Sequence, residues 1–187
     1  PYSFKTTLKS IPNQIPYIKA NSDKVNYWNQ KTKNENFNIG ICWQGSRKSK
    51  SFPLELFENI SKIKKVKLFS LQKFDGLDEI KNISNKFSLI NFSKNLDQDG
   101  SFTDTAALIV NMNLIITADT AISHLAGALG VKVWTVLKKK PDWRWMFDRT
   151  DTPWYPSMKL FRQKKEGQWK DPFNEMYNEL TILINLK

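Results

Sequence analysis

The sequence has 187 residues, of which 40% are hydrophobic and 13% aromatic, and its formal net charge is +11. This length accommodates one domain with a substantial core, and the composition excludes extensive disorder. No run approaches the roughly 20 apolar residues of a membrane helix, and residues 1–7 lack a signal-peptide core. We therefore expect a cytoplasmic protein with no transmembrane segment, whether or not the sequence is part of a longer chain.

The positive charge comes mainly from Lys and is spread along the chain. Only four residues are Arg, whereas phosphate clamps and base readers favour the planar guanidinium group. The densest runs, 138–140 and 164–165, are typical of solvated loops. A basic nucleic-acid or anionic-surface binder is therefore the weaker alternative, and we expect no nucleic-acid partner.

The single Cys42 lies in the apolar run 39–43 and cannot form an internal disulfide, so we expect a buried small side chain. One Cys and one His are also too few for a typical zinc site. We therefore expect no metal.

Residues 11–17 contain two prolines four positions apart, which favour an extended strap. A short polar helix follows near residues 22–30, capped by Asn21 or Ser22. Apolar runs predict strands at 38–43, 66–71, 88–91, 113–117, 131–136 and 158–162. Helices are predicted from Pro53 with Leu56, Phe57 and Ile60 on one face, at 77–83, from Thr103 or Asp104 through Val110, after Asp119, and at 172–186.

Strands that alternate with helices indicate an α/β fold, with a Rossmann-like parallel sheet covered by helices on both faces. Ligands bind such sheets beyond the carboxyl ends of the strands. The loop after Trp43 and the loop that holds Asp119 both follow strands, so we expect both at that edge.

The segment 117–130 contains the only His of the chain, four residues after Thr120. Asp119 and Thr120 fall at a helix start, where unpaired amides and the helix dipole favour a phosphate or another anion. His124 lies on the same helical face as Thr120, directed at whatever occupies the helix start. A capped helix with a surface His is the alternative interpretation.

The loop 44–53 offers a flexible Gly, several hydroxyls and three cations, which together suit a diphosphate. It has neither the Walker spacing nor the G-x-G-x-x-G spacing, so a solvated basic loop is the alternative. The later segment 141–156 contains three Trp residues. These could stack on a sugar or base, with Arg144 and Arg149 available for anions, or pin a long loop onto the domain.

Residues 39–185 resemble the C-terminal half of glycosyltransferase family 9, the ADP-heptose:lipopolysaccharide heptosyltransferases and their relatives. The resemblance is closer still to bacterial proteins in which such a domain follows tetratricopeptide repeats. It implies a GT-B fold of two facing Rossmann-like domains, of which this chain supplies the nucleotide-sugar side. The segments that support it are 104–108 (Asp-Thr-Ala-Ala-Leu), 117–130, 141–145 (Pro-Asp-Trp-Arg-Trp) and 151–163 (Asp-Thr-Pro-Trp-Tyr-Pro-Ser-Met-Lys-Leu-Phe-Arg-Gln).

In the family, a helix start of the form Asp-Thr-x-x-x-His contacts the donor diphosphate, as do a hydroxyl and a Lys in the loop after the first strand of the domain. The corresponding candidate residues are Ser46, Lys50, Asp119, Thr120, Ala121 and His124, with Gln44 and Arg144 as possible sugar or anion contacts. Family members usually have Gly where this sequence has Ala121. A contact to the backbone amide survives that change, although the approach is slightly tighter.

The resemblance also implies a metal-independent reaction, with a nucleotide-diphosphate sugar as donor and no further cofactor. Asp97-Gln-Asp99 mimics the metal-binding D-x-D of another glycosyltransferase fold. We interpret it as surface acid in a flexible loop before Gly100.

We expect residues 1–36 to be a lead-in with a short helix and residues 37–187 to be the donor-binding domain. In the family, the general base that activates the acceptor hydroxyl comes from an N-terminal domain, for which residues 1–36 are too few. We therefore name no catalytic base and expect an N-terminal acceptor or repeat domain as partner. We also expect no transfer from residues 1–187 alone, and transfer by the purified chain would contradict this. A non-catalytic nucleotide- or sugar-binding module is the alternative, and the acceptor stays open.

Overall fold

A computed structural model describes residues 3–186, in which six strands form one sheet. The strands lie in the order β3-β2-β1-β4-β5-β6 and every neighbouring pair is parallel, as in the doubly wound α/β fold. The predicted strands are therefore confirmed, and no strand end differs from its predicted position by more than two residues. They are β1 (Phe37–Cys42), β2 (Val66–Ser70), β3 (Ile90–Asn91), β4 (Leu114–Ala118), β5 (Val133–Leu137) and β6 (Met158–Arg162).

Helices cover both faces of this sheet. Residues of α1, α4 and α5 belong to one buried hydrophobic cluster, and residues of α2, α3 and α6 belong to another. The central strands β1, β4 and β5 are buried along their whole length, because neither face is open to water. The helices are α1 (Ser22–Thr32), α2 (Glu58–Ser61), α3 (Glu79–Ile83), α4 (Thr103–Val110), α5 (Ala121–Ala128) and α6 (Lys170–Asn185).

The helix expected from Pro53 is shorter than a regular α-helix. It begins as a 3₁₀ turn at Leu54–Phe57 and continues as the single turn α2. Phe57 and Ile60 are buried as predicted, and Leu54 is buried with them. The early 3₁₀ turn places Leu54 in the core, which the spacing of an α-helix did not indicate.

The lead-in contacts the end of α5. The amide of Tyr17 donates to the carbonyl of Ala128 at 3.1 Å, and Pro16 lies beside Gly130. The side chain of Asn21 accepts hydrogen bonds from the first amides of α1, so the cap predicted there is confirmed. The domain boundary near residue 36 stays a prediction. None of the helices within residues 3–186 combines the length and the apolar content needed to cross a bilayer.

The cap of α4 comes from outside the helix, so the cap predicted at Thr103 or Asp104 is wrong. The carboxylate of Asp97 accepts hydrogen bonds from the amide of Asp104 at 2.8 Å and from the amide of Thr105 at 2.9 Å. It also accepts one from the hydroxyl of Thr105 at 2.6 Å. Asp97 is therefore a helix-capping residue and not simply surface acid, whereas the side chain of Asp99 is 80% exposed.

Asp104 links α4 to α1 instead of capping its own helix. Its buried carboxylate accepts a hydrogen bond from the indole of Trp28 at 3.0 Å and from the ammonium group of Lys24 at 2.9 Å. Burial alone would raise the pKa of Asp104, but these bonds and the one from the amide of Asp97 outweigh it and hold the pKa below its usual range.

Candidate functional site

Two loops meet at the carboxyl edge of the sheet because the strands that precede them are neighbours. The end of β1 at Cys42 pairs with Thr117 of β4, so the loop 44–52 and the loop at Asp119 leave the sheet side by side. The ammonium group of Lys50 lies 2.5 Å from a carboxylate oxygen of Asp119. The side chains are only 18% and 8% exposed, so this ion pair joins the two loops at a largely buried position.

The start of α5 leaves one amide available beside this pair. Thr120 caps the helix, with its hydroxyl accepting a hydrogen bond from the amide of Ile122 at 3.2 Å. The amide of Ser123 donates to the carbonyl of Thr120. No acceptor for the amide of Ala121 occurs among residues 3–186, as expected for the first residue of a helix. Ala121 itself is exposed, so solvent reaches this position at the start of the helix.

A cavity of about 530 Å³ opens at this point, within the range of ordinary ligand pockets. It is bordered by the two loops, by the segment after β2 and by the start of α4. Six of the eight candidate residues line it: Gln44, Ser46, Lys50, Asp119, Thr120 and Ala121. Thirteen further residues line it that were not candidates from the sequence: Cys42, Gly45, Arg47, Leu71, Gln72, Lys73, Phe74, Asp75, Asp97, Ser101, Phe102, Thr105 and Ile122.

Gln72 holds the first loop in place. Its side-chain oxygen accepts hydrogen bonds from the amides of Trp43 and Gln44, both at 3.1 Å, and its amide group donates to the carbonyl of Gln44 at 3.0 Å. The side chain of Gln44 in turn donates to Glu79. A polar residue directly after a buried strand was the available signal for Gln72. Its partner could be found only from the order of the strands.

The buried thiol of Cys42 agrees with the expected small core residue. It lies 3.3 Å from the side-chain oxygen of Gln72 and 3.8 Å from the hydroxyl of Thr120. Burial raises the pKa of this thiol to about 11, so it stays protonated near neutral pH. No cluster of His, Cys, Asp and Glu within residues 3–186 has the geometry to hold a metal ion.

A second cavity, of about 820 Å³, also borders residues 44–46. Asp75, Asp78 and Glu79 line it, with Lys48 as the single cation among its lining residues. The smaller cavity at the start of α5 is also lined by three carboxylates, Asp75, Asp97 and Asp119, but three cations, Arg47, Lys50 and Lys73, balance them. The smaller cavity is therefore the better anion site.

His124 lies one turn further along α5 and does not line the smaller cavity. Its ring stacks on Trp145 with a centroid distance of 5.0 Å and an interplanar angle of 20°. Burial lowers the pKa of His124; Arg144 and Lys50 lower it further, and the negative charges of Asp119 and Asp142 partly oppose them. The imidazole is therefore neutral near pH 7. It lies within electrostatic reach of two ion pairs, Lys50–Asp119 and Arg144–Asp142.

Arg144 belongs to the second of these ion pairs. Its Nε atom lies 2.7 Å from a carboxylate oxygen of Asp142, and a second nitrogen of the guanidinium group contacts the other oxygen at 3.1 Å. This two-point contact lowers the pKa of Asp142 to about 2. Arg144 does not line the 530 Å³ cavity, but its electrostatic coupling to Asp119 and His124 places it near the start of α5.

The Trp-rich segment is pinned to the domain at two of its three indoles. Trp145 is buried against His124, and Trp154 packs against the hydrophobic core while its indole nitrogen donates to the carbonyl of Arg144 within the segment at 2.9 Å. Trp143 is 69% exposed. The loop-pinning interpretation therefore holds for Trp145 and Trp154.

A family model described as glycosyltransferase family 9 (heptosyltransferase) matches residues 7–175, which is most of the chain. The chain belongs to glycosyltransferase family 9. The resemblance carried by the motifs is thereby confirmed, while the association with tetratricopeptide repeats stays a prediction. No curated protein sequence matches the chain.

Solved structures of this family share the fold. The ADP-heptose lipopolysaccharide heptosyltransferase II of E. coli is 12% identical with a TM-score of 0.68, over 96% of this chain and 57% of that protein. A family 9 glycosyltransferase of Veillonella parvula is 14% identical with a TM-score of 0.65, over 89% of this chain and 53% of its own. The E. coli heptosyltransferase WaaC with ADP is 14% identical with a TM-score of 0.59, over 92% of this chain and 53% of its own. This family 9 chain therefore spans little more than half the length of these relatives.

Proposed function

We propose that this family 9 domain binds a nucleotide-diphosphate sugar, with the diphosphate at the start of α5. The observation that supports this most strongly is the Lys50–Asp119 pair, which lies in one cavity with the unpaired amide of Ala121. An ammonium group has three N–H donors, and Asp119 occupies one of them. Two donors of Lys50 thus stay available for phosphate oxygens.

The surroundings strengthen this anion site. The dipole of α5 adds partial positive charge at Ala121, and the exposed Ser46 contributes a hydroxyl from the opposite loop. His124 lies one turn further along α5, and Arg144 of the 143–145 turn lies within electrostatic reach of His124 and Asp119, so we assign the second phosphate and the sugar to this side. Together these groups would offset the charge that builds on the leaving diphosphate during sugar transfer.

The nucleoside would lie against the aromatic part of the cavity lining. Phe74 and Phe102 line the cavity and are 75% and 44% exposed, so each has aromatic surface available for a base. Two of the similar structures are described with ADP and with ADP-2-deoxy-2-fluoro heptose. ADP is therefore the first probe to use for this chain.

The acceptor base would come from another part of the assembly. Asp119 lines the cavity and Asp142 lies within electrostatic reach of His124, and each is held in an ion pair. A carboxylate that is paired with a cation is a weak base. We therefore assign donor binding to residues 37–187, with a metal-independent transfer step that needs a base from a further domain.

The test compares ADP binding by the wild type, Lys50→Ala and Lys67→Ala, using calorimetry and thermal shift. A hydrogen bond to a charged group contributes about 1.5–3 kcal/mol, so Lys50→Ala should weaken ADP binding by about tenfold or more. Lys67 is an exposed residue of β2 that lines neither cavity, and its variant should bind ADP like the wild type.

The same panel includes UDP, GDP and a short DNA duplex to test the competing functions. Stabilisation by a nucleoside diphosphate that depends on Lys50 supports donor binding. Equal stabilisation by DNA that added salt removes, with no dependence on Lys50, would instead support the basic nucleic-acid binder.

A further inference from the structure

Three side chains form a line of hydrogen bonds that runs from the lead-in to α5. The hydroxyl of Tyr17 donates to the hydroxyl oxygen of Tyr155 at 3.4 Å. That hydroxyl lies 3.1 Å from Nδ1 of His124. Tyr155 belongs to the segment between β5 and β6, so three separate parts of the chain meet here.

The packing around Tyr155 brings its hydroxyl to the histidine. Tyr155 is 8% exposed, and its ring lies directly over Gly127 of α5. A Cβ atom at Gly127 would lie 2.5 Å from the ring, so a glycine is needed for this approach. Gly127 lies three residues after His124, on the neighbouring turn of the same helix.

The direction of the second hydrogen bond follows from the first. A phenol has one proton to donate. With the oxygen of Tyr155 accepting from Tyr17, the proton of Tyr155 has one acceptor within hydrogen-bond distance among residues 3–186, Nδ1 of His124, and we infer that it donates there. Burial and the contact with Tyr17 raise the pKa of Tyr155, so its hydroxyl stays protonated.

A neutral imidazole that accepts at Nδ1 carries its proton on Nε2. Stacking on Trp145 sets the plane of the imidazole ring, and the hydrogen bond between Tyr155 and Nδ1 sets the orientation of the ring within that plane. Nε2 has no hydrogen-bond partner among residues 3–186. This nitrogen is therefore the donor that His124 can offer to a ligand.

We propose that Tyr155 is a positioning residue that holds His124 in the Nε2–H tautomer, so that Nε2–H can donate to a phosphate oxygen of the donor. The tautomer assignment concerns the free protein, and only the contact with phosphate rests on the proposed function. Tyr17 is the third member of this line of hydrogen bonds. Its amide donates to the carbonyl of Ala128, and its hydroxyl donates to the hydroxyl oxygen of Tyr155.

Nitrogen NMR of the histidine ring tests the tautomer directly. His124 is the only histidine of the chain, so an untagged protein labelled with ¹⁵N-histidine gives two ring resonances and needs no assignment by mutation. We expect a protonated Nε2 and an unprotonated Nδ1 with the shift of a hydrogen-bond acceptor at pH 7.5. A protonated Nδ1 would overturn the proposal.

Tyr155→Phe removes the hydroxyl and keeps the ring that packs on Gly127, while Tyr177→Phe removes a phenol on α6 as the matched control. We expect Tyr155→Phe to move the Nδ1 resonance toward that of a free nitrogen and to weaken ADP binding about 2- to 13-fold, as for one hydrogen bond. Tyr177→Phe should change neither quantity. Unchanged ring shifts in folded Tyr155→Phe would overturn the role of Tyr155.

The outcomes separate this inference from the proposed function. If the wild type does not bind ADP, the contact with phosphate fails with the proposed function, while the ring resonances still decide the tautomer. If Tyr155→Phe does not fold, the wild-type spectrum alone decides it. ADP binding that is unaffected by Tyr155→Phe, together with an altered tautomer, would show that His124 does not contact the ligand.

Discussion

Lys50 and His124 are both candidate phosphate contacts near the start of α5, and they differ in how neighbouring residues hold them. Lys50 has a carboxylate partner, Asp119, at 2.5 Å. His124 has a phenol and an indole as neighbours, and burial favours its neutral form. Lys50 therefore supplies charge to the site, whereas His124 supplies a directed N–H donor.

The pKa of His124 should be lower than that of an ordinary histidine, about 6.5, and should rise when ADP binds. Burial, Arg144 and Lys50 disfavour the imidazolium in the free protein, whereas Asp119 and Asp142 favour it. A bound diphosphate adds negative charge, which stabilises the imidazolium and raises the pKa. A pH titration of the single histidine by NMR, with and without saturating ADP, measures both values. A free-protein midpoint at or above 6.5, or a midpoint that ADP leaves unchanged, would be inconsistent with this placement.

Among the secondary-structure elements, α4 depends most clearly on a residue outside itself. Asp97 has a positive φ of 54°, which turns its carboxylate back onto the first amides of the helix. The carboxylate also lies at the positive end of the helix dipole. Asp104 then joins α4 to α1, so the cap and the packing of these two helices form one network.

Asp97→Ala should destabilise the protein by about 1–2 kcal/mol through loss of the cap. An alanine is also disfavoured at a positive φ, which adds to the loss. Asp99→Ala is the matched control, since the side chain of Asp99 is 80% exposed and its contact with Lys24 at 3.2 Å is a surface ion pair. Urea unfolding at pH 7 measures the difference, and equal unfolding midpoints for the two variants would contradict the capping role.

The strands could be predicted from the sequence because each is a short apolar run bounded by polar residues, and the cap at Asn21 because it directly precedes its helix. The cap of α4 could not, because Asp97 lies six residues before the helix and reaches it through a turn with unusual backbone angles. Six of the eight candidate residues that the sequence motifs indicated line one cavity in the structure. The contacts of Gln72 with Gln44 and of Tyr155 with His124 could not be predicted, because the partners are 28 and 31 residues apart in sequence.

At the scale of the whole molecule, the doubly wound sheet explains why the site lies where it does. The neighbouring strands β1 and β4 end together, and the loops that follow them supply both members of the Lys50–Asp119 pair. The chain covers 57% of the E. coli heptosyltransferase II structure. The proposed donor binding can be tested on this chain, and we propose that transfer needs acceptor-side groups from a further domain.

The most direct test of donor binding at the start of α5 is to map the backbone amide shifts of the ¹⁵N-labelled chain during titration with ADP. We predict that the largest changes occur at Thr120, Ala121 and Ile122, with smaller ones at Gly45 and Ser46 across the cavity. A titration that leaves these amides unchanged, or that perturbs only the lysine-rich loops at 138–140 and 164–165, would contradict a donor diphosphate site at the start of α5.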